Sequence, residues 1–460
     1  MYSITYSGGL SGIQSFIAGV EVDVSPGIPS FNMVGSLSPE VREARERVRV
    51  CLKNCGIELP PALITVNISP ANLQKYGTAY DLPIAVGILS AIGQLPADLL
   101  NDTLIIGELN LDGGVRHVKG VLPIILQAVK QGFKNCIVPL ENATEASHAE
   151  NINILPVKDI VQAIGILQGE AFVESPDIAI NTSPPNEHTS NEHNINSSLT
   201  LNMPLTPVPD KYTKNKITND INLSPDFSDI VGQEACKRAA LIAVAGFHHL
   251  LITGPPGSGK TMLAKRIPGI MPPLSPLESL EVSTIYSVAG LLNESRPYIE
   301  KRPFQSPHHS STKQALSGGG KTVRPGIVSL SHRGVLFLDE FPEFSRDCIE
   351  ILREPLEDKQ IQLSRVQCSF TYPADFMLVA AANPCPCGYY PNRNLCNCSE
   401  ASLIKYRSKI SGPIKDRIDI IVYAEALSAE HLTGLTAQNN NTCYNSESMR
   451  KRVMEARSIQ

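Results

Sequence analysis

Tryptophan is absent from the 460 residues of this chain, and all aromatic residues together make up only 5% of it. A surface that binds nucleic acid by stacking bases on aromatic rings is therefore disfavoured. Basic residues do not predominate either, because the formal net charge is −5. Any contact with nucleic acid must come from a local basic patch rather than from the charge of the whole chain.

Long apolar segments are missing too. No apolar run approaches the length of a membrane span, and the first residues, MYSITYSGGLSGI, lack the charged and apolar regions of a secretory signal. Eleven cysteines in a chain without an export signal favour reduced thiols or a metal site over a disulfide framework. We therefore expect a cytoplasmic protein with no membrane partner and, at this length, two or three domains.

The most specific motif is GPPGSGKT, which matches the phosphate-binding loop G-x-x-x-x-G-K-[ST] at every fixed position. Glycines let backbone N–H groups turn toward phosphate oxygens, the lysine reaches the β- and γ-phosphates, and the threonine hydroxyl completes a Mg²⁺ shell. A predicted strand precedes the motif and a predicted helix follows it, so the helix N-terminus faces the anion. The motif predicts binding of ATP and Mg²⁺. Its residues are Gly254, Pro255, Pro256, Gly257, Ser258, Gly259, Lys260 and Thr261.

Two further predicted strands end in polar residues. GVLFLDE ends in Asp339, which can hold Mg²⁺, and Glu340, which can polarise an attacking water as general base. FMLVAAANP carries Asn383 before its last proline, where an amide can position water beside a γ-phosphate. The alternatives are ordinary surface acids and a turn-forming asparagine. Together with Lys260, these residues predict a catalytic group for ATP hydrolysis.

Four cysteines follow Asn383 in the pattern C-x-C-x₈-C-x-C. Four thiolates suit tetrahedral Zn²⁺, which would brace the loop structurally. Each C-x-C pair is tighter than the usual zinc spacing, so free thiols, an iron–sulfur cluster or disulfides stay open. The candidate ligands are Cys385, Cys387, Cys396 and Cys398.

The one basic patch of the chain lies between Arg296 and Arg333, where seven Lys and Arg residues stand against a single acid, Glu300. Such a patch can follow a phosphodiester backbone, although a solvated loop or contacts between subunits would explain it too. A predicted hairpin over residues 357–372 adds two more cations. The candidate DNA contacts are Lys301, Arg302, Lys313, Lys321 and Arg324 in the patch, and Lys359 and Arg365 in the hairpin.

The N-terminal part alternates helical and strand patterns, which indicates a compact α/β domain. From about residue 173 to 225 the composition shifts to Asn, Ser, Thr and Pro without periodicity, which predicts a flexible linker, a long structured loop being the alternative. The predicted elements before the linker are helices over 39–55, 82–92 and 121–132 and strands over 62–68 and 103–109.

The segments VNISPANLQKYGTAYDLPIAVGIL and GELNLDGGVRHVKGVLPI resemble the N-terminal, Lon-protease-like domain of the YifB/ComM family of magnesium-chelatase-like AAA+ ATPases. The resemblance covers nearly everything except the linker. It implies an α/β fold with a Lon-protease-like α/β domain and an AAA+ P-loop NTPase domain that carries insertions of the MCM and chelatase type. The implied division is a Lon-like domain at 1–172, the linker at 173–225, the AAA+ core at 226–424 and the start of an incomplete C-terminal lid at 425–460.

Lon peptidases use a serine nucleophile, and this chain has Thr78, Ala79, Tyr80 and Asp81 at the corresponding turn. The resemblance therefore implies a peptidase-dead domain. No arginine of the terminal helix is assigned as the second sensor of the lid, and an incomplete lid puts turnover in doubt.

The resemblance also implies roles in the AAA+ domain. A loop at Ile230 and Val231 would cover the adenine. Arg417, in SGPIKDRIDIIV, would act as an arginine finger on the nucleotide of a neighbouring subunit, which implies a homo-hexamer. The alternative is a structural ion pair with Asp416 or Asp419. The hairpin over 357–372 would point into the central pore.

The implied function is an ATP-dependent motor that acts on branched or single-stranded DNA and promotes branch migration in homologous recombination and natural transformation. Three other classes remain open: a magnesium-chelatase motor subunit, an ATP-dependent Lon-like protease, and a scaffold that binds nucleotide without turnover.

Overall fold

The computed structural model describes residues 1–169, 225–293, 295–320, 323–364, 369–426 and 444–460. The predicted linker, apart from Pro225, and much of the predicted lid lie outside the described residues, as do two of the candidate DNA contacts, Lys321 and Arg365. None of the described helices combines the length and the apolarity that a membrane crossing requires.

The N-terminal part is a mixed sheet with helices on both faces. Its strands are β1 Tyr2–Ser11, β2 Gln14–Ser25, β3 Ser30–Val34, β4 Leu63–Ile68, β5 Thr103–Ile105, β6 Glu108–Leu109, β7 Val115–Arg116, β8 Asn135–Pro139 and β9 Asn153–Val157. Its helices are α1 Pro39–Arg42, α2 Ala44–Asn54, α3 Asp81–Ala91, α4 Val121–Lys130, α5 Ala143–Ala146 and α6 Ile160–Leu167.

Seven strands form the sheet in the order β3-β4-β2-β1-β5-β8-β9, with β2 antiparallel to both β1 and β4 and the other pairs parallel. On one face, α2 and the almost entirely buried α3 pack on alternate residues of β2 such as Val20 and Val22. On the other face, α4 buries Ile124 and Ile125 in a second core. The apolar positions that recur in the helix predicted over 39–55, such as Val48 and Leu52, are buried in the first core, and α3 is the buried helix expected over 82–92.

Two predicted elements are divided in the structure. The helix predicted over 39–55 is interrupted at Glu43, between α1 and α2. The strand predicted over 103–109 separates into β5 and β6 because the chain turns toward α3 after Ile106, where Gly107 N donates to Ala79 O at 3.1 Å.

The C-terminal part is a parallel sheet with helices around it. Its strands are β10 Leu250–Thr253, β11 Phe304–Gln305, β12 Gly318–Gly319, β13 Arg324–Pro325, β14 Val335–Leu338, β15 Gln360–Ser364, β16 Ser369–Pro373, β17 Met377–Ala382 and β18 Ile420–Tyr423. Its helices are α7 Glu234–Gly246, α8 Lys260–Ala264, α9 Ile267–Ile270, α10 Pro276–Ala289, α11 Lys313–Ser317, α12 Ile327–Leu330, α13 Arg346–Glu350, α14 Arg353–Asp358, α15 Glu400–Arg407, α16 Gly412–Lys415 and α17 Ser446–Ile459.

Five strands form this sheet in the order β11-β14-β17-β10-β18, and every neighbouring pair is parallel. Their carboxyl ends therefore meet at one edge, where ligands of open parallel sheets bind. The predicted hairpin is confirmed as the antiparallel pair β15 and β16, which stands outside the main sheet.

The two parts pack against each other within one compact unit, Met1–Ala171 with Pro225–Gln460. The buried carboxylate of Glu145 accepts a hydrogen bond from the hydroxyl of Ser287 on α10, and Gly120 N donates to Ser287 O at 3.0 Å. Beside this polar contact, Leu10 packs with Val288 and with Phe370 of the hairpin. The N-terminal part thus touches the hairpin directly, close to its turn.

Candidate active site

Three predicted motifs converge at the carboxyl edge of the parallel sheet. The phosphate-binding loop follows β10, Asp339 follows β14 and Asn383 follows β17. The Thr261 hydroxyl donates to Asp339 Oδ2 at 2.7 Å, and Lys260 Nζ lies 3.3 Å from Asn383 Oδ1. Since β17 lies between β10 and β14, these contacts follow from strand order rather than from proximity in sequence.

The phosphate-binding loop has the backbone that its glycines allow. Gly257 and Gly259 have φ of 77° and 83°, in the left-handed region that side chains disfavour. Lys260 Nζ donates to the carbonyls of Gly254 and Pro255, both at 2.8 Å, so the loop wraps around the ammonium group. Burial lowers the pKa of Lys260, and the carboxylates of Asp339 and Glu340 oppose that shift.

The two acids after β14 point to different partners. Asp339 accepts from the Thr261 hydroxyl and from the backbone N–H of Glu340 at 2.9 Å, so it stays beside the loop. Glu340 has φ of 51°, in the left-handed region that residues other than glycine seldom adopt. A hydroxyl paired with a carboxylate is an oxygen donor set that suits Mg²⁺.

Glu340 meets a partner that the sequence interpretation did not assign to the site. His309 Nδ1 lies 3.2 Å from Glu340 Oε2, and the rings of His308 and His309 pack at a tilt of 34° with centroids 4.1 Å apart. From the sequence alone, this region is recognisable only as a basic patch. The position of His309 could have been predicted from strand order, because His309 follows β11, the strand that pairs in parallel with β14.

Gln233 is a second residue that sequence reasoning missed. Its Nε2 donates to Ser258 O at 3.1 Å and to Glu425 O at 2.7 Å, which ties the phosphate-binding loop to the chain after β18. It lies two residues after the predicted adenine loop, in which Ile230 is buried and Val231 is 41% exposed. An apolar side chain at the surface beside this loop is compatible with contact to a base.

The four cysteines of the C-x-C-x₈-C-x-C pattern are brought together, with all Sγ atoms within 4.8 Å of one another. Cys385 Sγ lies 3.3 Å from Cys387 Sγ and 3.8 Å from Cys396 Sγ. Four thiolates at about 2.3 Å from a tetrahedral zinc have Sγ atoms about 3.8 Å apart, so the group fits Zn²⁺. The loop that carries these cysteines touches the phosphate-binding loop, because a Cβ at Gly388 would lie 2.6 Å from Pro256 Cδ.

Arg417 follows α16 and pairs with Glu357 at the end of α14, next to the hairpin. Asp419, one of its predicted alternative partners, accepts the backbone N–H of His249 at 2.7 Å. The structure thus gives Arg417 an ion pair within the chain, but with a partner that sequence proximity did not indicate.

One candidate DNA contact is corrected by the structure. The Arg302 side chain is only 8% exposed, because its guanidinium donates to Pro272 O and Arg333 O and pairs with Glu278 at 3.2 Å. Arg302 therefore holds the loop in place and does not face solvent. The exposed candidates among the described residues are Lys301, Lys313, Arg324 and Lys359.

Comparison with known proteins agrees with this architecture. The family model described as "Magnesium chelatase, subunit ChlI" matches residues 226–432, and the model "Subunit ChlI of Mg-chelatase" matches residues 20–142. The chain is 41% identical to an uncharacterized protein of Mycobacterium tuberculosis over 92% of this chain and 77% of the relative. It is 40% identical to YifB of Escherichia coli over 91% of this chain and 75% of that relative. Competence protein ComM of Haemophilus influenzae is 38% identical over 100% of this chain and 82% of its own. The chain belongs to the YifB/ComM family of magnesium-chelatase-like AAA+ proteins.

Proposed function

We propose that this protein is an ATPase that assembles as a homo-hexamer and moves branched or single-stranded DNA, promoting branch migration in recombination and natural transformation. The observation that carries the ATPase part is the meeting of Lys260, Thr261, Asp339 and Asn383 at one sheet edge. Similarity to a protein named for competence supports the DNA part.

The site residues divide the work of hydrolysis. The backbone of the phosphate-binding loop and Lys260 bind the β- and γ-phosphates, and the Ile230–Val231 segment covers the adenine. Thr261 and Asp339 would hold Mg²⁺, which neutralises negative charge on the phosphates. Glu340 takes a proton from the attacking water, Asn383 orients that water, and Arg417 of a neighbouring subunit stabilises the charge that develops.

The insertions form the DNA-contacting part. Lys301, Lys313, Arg324 and Lys359 present exposed cations, and Lys359 sits at the start of the hairpin, where its ammonium pairs with Asp375 at 3.3 Å and is 67% exposed. Cations at this density favour a phosphodiester backbone through release of counterions. Movement of the hairpin during the ATP cycle would then displace the bound strand.

The N-terminal domain, Lon-protease-like and spanning 1–172, serves as a platform for ring assembly or DNA binding. The turn where Lon peptidases carry their nucleophile ends here in an ion pair: Arg47 binds the buried carboxylate of Asp81 through two nitrogens, at 2.7 and 2.9 Å. The four cysteines hold a structural zinc, which would fix the loop between Asn383 and α15.

The decisive experiment measures ATP hydrolysis by the purified protein with and without forked DNA. We expect several-fold stimulation by forked DNA and a steep loss of that stimulation as salt rises. Unchanged hydrolysis across DNA structures would contradict the DNA part alone, whereas absence of hydrolysis would contradict the motor.

A second candidate is a magnesium-chelatase motor subunit, favoured by the names of the two matching family models. It predicts stimulation by a porphyrin and partner subunits rather than by DNA. The same hydrolysis assay distinguishes the two functions when porphyrin replaces the DNA.

A further inference from the structure

A groove of about 660 Å³ lies between the N-terminal sheet and the hairpin, whose residue Phe370, near the turn, lines it. One wall is the end of β1, residues 8–12, and the opposite wall is the loop over residues 72–79. Its apolar floor consists of Leu10, Ile124 and Phe370, among others. This groove is remote from the phosphate-binding loop in sequence, and of the residues assigned above to ATP, zinc or DNA only Arg324 belongs to its lining.

The wall formed by β1 is an open strand edge. All of β1 pairs with β2, but on the other side the described register joins β1 to β5 at a single position, Tyr6 opposite Leu104. Beyond that position the chain after β5 turns toward α3, where Gly107 N donates to Ala79 O at 3.1 Å. The β1 segment past Tyr6 therefore has no neighbouring strand on its groove side among the described residues.

The hydrogen-bond pattern of β1 shows which of its residues direct their backbone groups toward the groove. Met1 N donates to Val24 O at 2.7 Å and Val24 N to Met1 O at 2.8 Å, so Met1 bonds toward β2. Antiparallel strands alternate in this respect, so odd-numbered residues of β1 bond to β2 and even-numbered ones face away. Tyr6, which pairs with β5, obeys this alternation. Gly8 and Leu10 consequently direct their backbone N–H and C=O groups to the groove side.

Gly8 keeps this wall compact. A Cβ there would lie 2.0 Å from Ile124 Cγ2, so the absence of a side chain lets α4 lie directly on the strand and form the floor. The packed helix therefore holds this edge rigid; Gly8 itself is buried, and Leu10 is partly exposed in the groove.

The rim of the groove is positively charged. Lys119 and Arg324 are exposed, and His117 is partly exposed between them in the lining. The lining contains one acid, Glu108, which accepts a hydrogen bond from the Thr78 hydroxyl, so the two exposed cations outnumber it. An occupant that carries negative charge is therefore favoured at the rim.

We propose that this groove binds an extended acidic peptide segment of a partner protein, which adds a strand to β1 past Tyr6. Backbone groups of Gly8 and Leu10 pair with the peptide, alternate peptide side chains enter the apolar floor, and acidic side chains meet Lys119 and Arg324. Since the hairpin contributes Phe370 to the floor, the bound segment lies next to the proposed moving part of the motor. This site does not depend on ATP hydrolysis.

Strand pairing favours a peptide over a nucleic acid here. A DNA strand offers no alternating N–H and C=O groups to a strand edge, and an apolar floor gives its phosphates no partners. A nucleic acid would instead require the cations alone to hold it.

The test uses the full chain and a fluorescein-labelled, N-acetylated decapeptide of alternating Asp and Val, followed by fluorescence anisotropy. We expect the acidic peptide to bind about tenfold more tightly than a Lys–Val peptide of equal length. A version N-methylated at alternate residues should lose binding, because it cannot donate to the strand edge. Arg324→Glu should weaken binding severalfold, whereas Arg116→Glu, an exposed arginine outside the lining, should leave it unchanged.

Hydrogen–deuterium exchange of the unmodified protein supplies a readout that does not depend on any variant. Bound peptide should slow exchange of the amides of Gly8 and Leu10. Equal affinity for acidic and basic peptides, unchanged exchange at residues 8–12, or tight binding of the N-methylated peptide would each overturn the proposal. Displacement of the peptide by a single-stranded oligonucleotide that gives the same protection would overturn it in favour of a nucleic-acid surface.

Discussion

His309 Nδ1 lies 3.2 Å from Glu340 Oε2, which joins the loop after β11 to the acid after β14. The two strands are parallel neighbours, so both loops emerge at the same edge of the sheet. His309 also lies inside the basic patch, just before α11. The proposed general base therefore contacts the part of the chain that is proposed to meet DNA.

His309→Ala should lower kcat for ATP about tenfold with little change in KM, because Glu340 would lose the contact that fixes its orientation. His309→Gln should restore part of the rate, since its amide can donate to the carboxylate. The matched control is His308→Ala, which removes the ring packed against His309 but no contact to Glu340. Equal losses in both histidine variants would mean that loop packing, not orientation of Glu340, is what matters.

Glu340→Gln should keep ATP affinity within about threefold and lower kcat by about 10²–10⁴, the contribution typical of a general base. Glu343→Gln is the control, because Glu343 lies in the following turn and pairs with Lys409 at 2.9 Å. Steady-state hydrolysis and equilibrium binding of a fluorescent ATP analogue check both variants. Normal turnover by Glu340→Gln would show that another group activates the water.

Metal analysis of the purified protein should find about one zinc per chain. The double variant Cys385→Ser, Cys398→Ser should lose it and melt several degrees lower, and its ATP affinity should fall because Gly388 packs on Pro256 of the nucleotide loop. Cys55→Ser, outside the cluster, should change neither property. Zinc that persists in the double variant would place the metal elsewhere.

Asp226 should confer stability that depends on pH. Burial favours its protonated form, but hydrogen bonds from the N–H groups of Ser228 and Ser446 outweigh burial and lower the pKa of Asp226 to about 2. A carboxylate with a lowered folded-state pKa stabilises the fold above its unfolded value of about 3.9 and loses that effect as pH falls toward about 2. Since Ser446 begins α17, the effect bears on the docking of that helix.

Asp226→Asn should therefore lower the free energy of unfolding at pH 7 by about 1 kcal/mol, the usual contribution of a capping carboxylate. The thermal midpoint should fall accordingly. The difference from the unmodified protein should shrink when both are measured near pH 3. Thermal melts at pH 7, 5 and 3 check this, and a constant difference over that range would contradict the assignment.

The nucleotide site could be predicted from the sequence because its parts are local. The loop GPPGSGKT and the acids of GVLFLDE each follow a short apolar strand, and parallel strands bring their carboxyl ends together whatever the length of the chain between them. The cysteine cluster is similar, since its four ligands come from fourteen consecutive positions, 385–398. For such sites, the spacing of the residues in the sequence largely determines the geometry of the site.

Contacts that depend on packing between distant segments were not predictable. Arg302 looked like a surface cation, yet carbonyls of residues 272 and 333 and the carboxylate of Glu278 enclose it. Arg417 forms its ion pair with Glu357, 60 residues away in the sequence, rather than with the adjacent aspartates. A linear pattern shows charge and periodicity but not which polar groups the fold buries beside each other.

Arg417 offers the sharpest test of action between subunits. Arg417→Ala should lower kcat about 10³-fold, as loss of an arginine finger does, and Glu340→Gln should also be inactive. If the arginine serves the neighbouring nucleotide, a mixed ring restores some complete interfaces, each formed by a chain with intact Glu340 and a neighbour with intact Arg417. In an equal mixture about one interface in four is complete, so hydrolysis should recover to about a quarter of the normal rate.

Thr261→Ala mixed with Glu340→Gln should not recover, because both defects lie on the nucleotide-holding side. Glu357→Gln should stay active, since it removes only the ion pair within the chain. Mixed rings that assemble normally and remain inactive would limit Arg417 to a structural role.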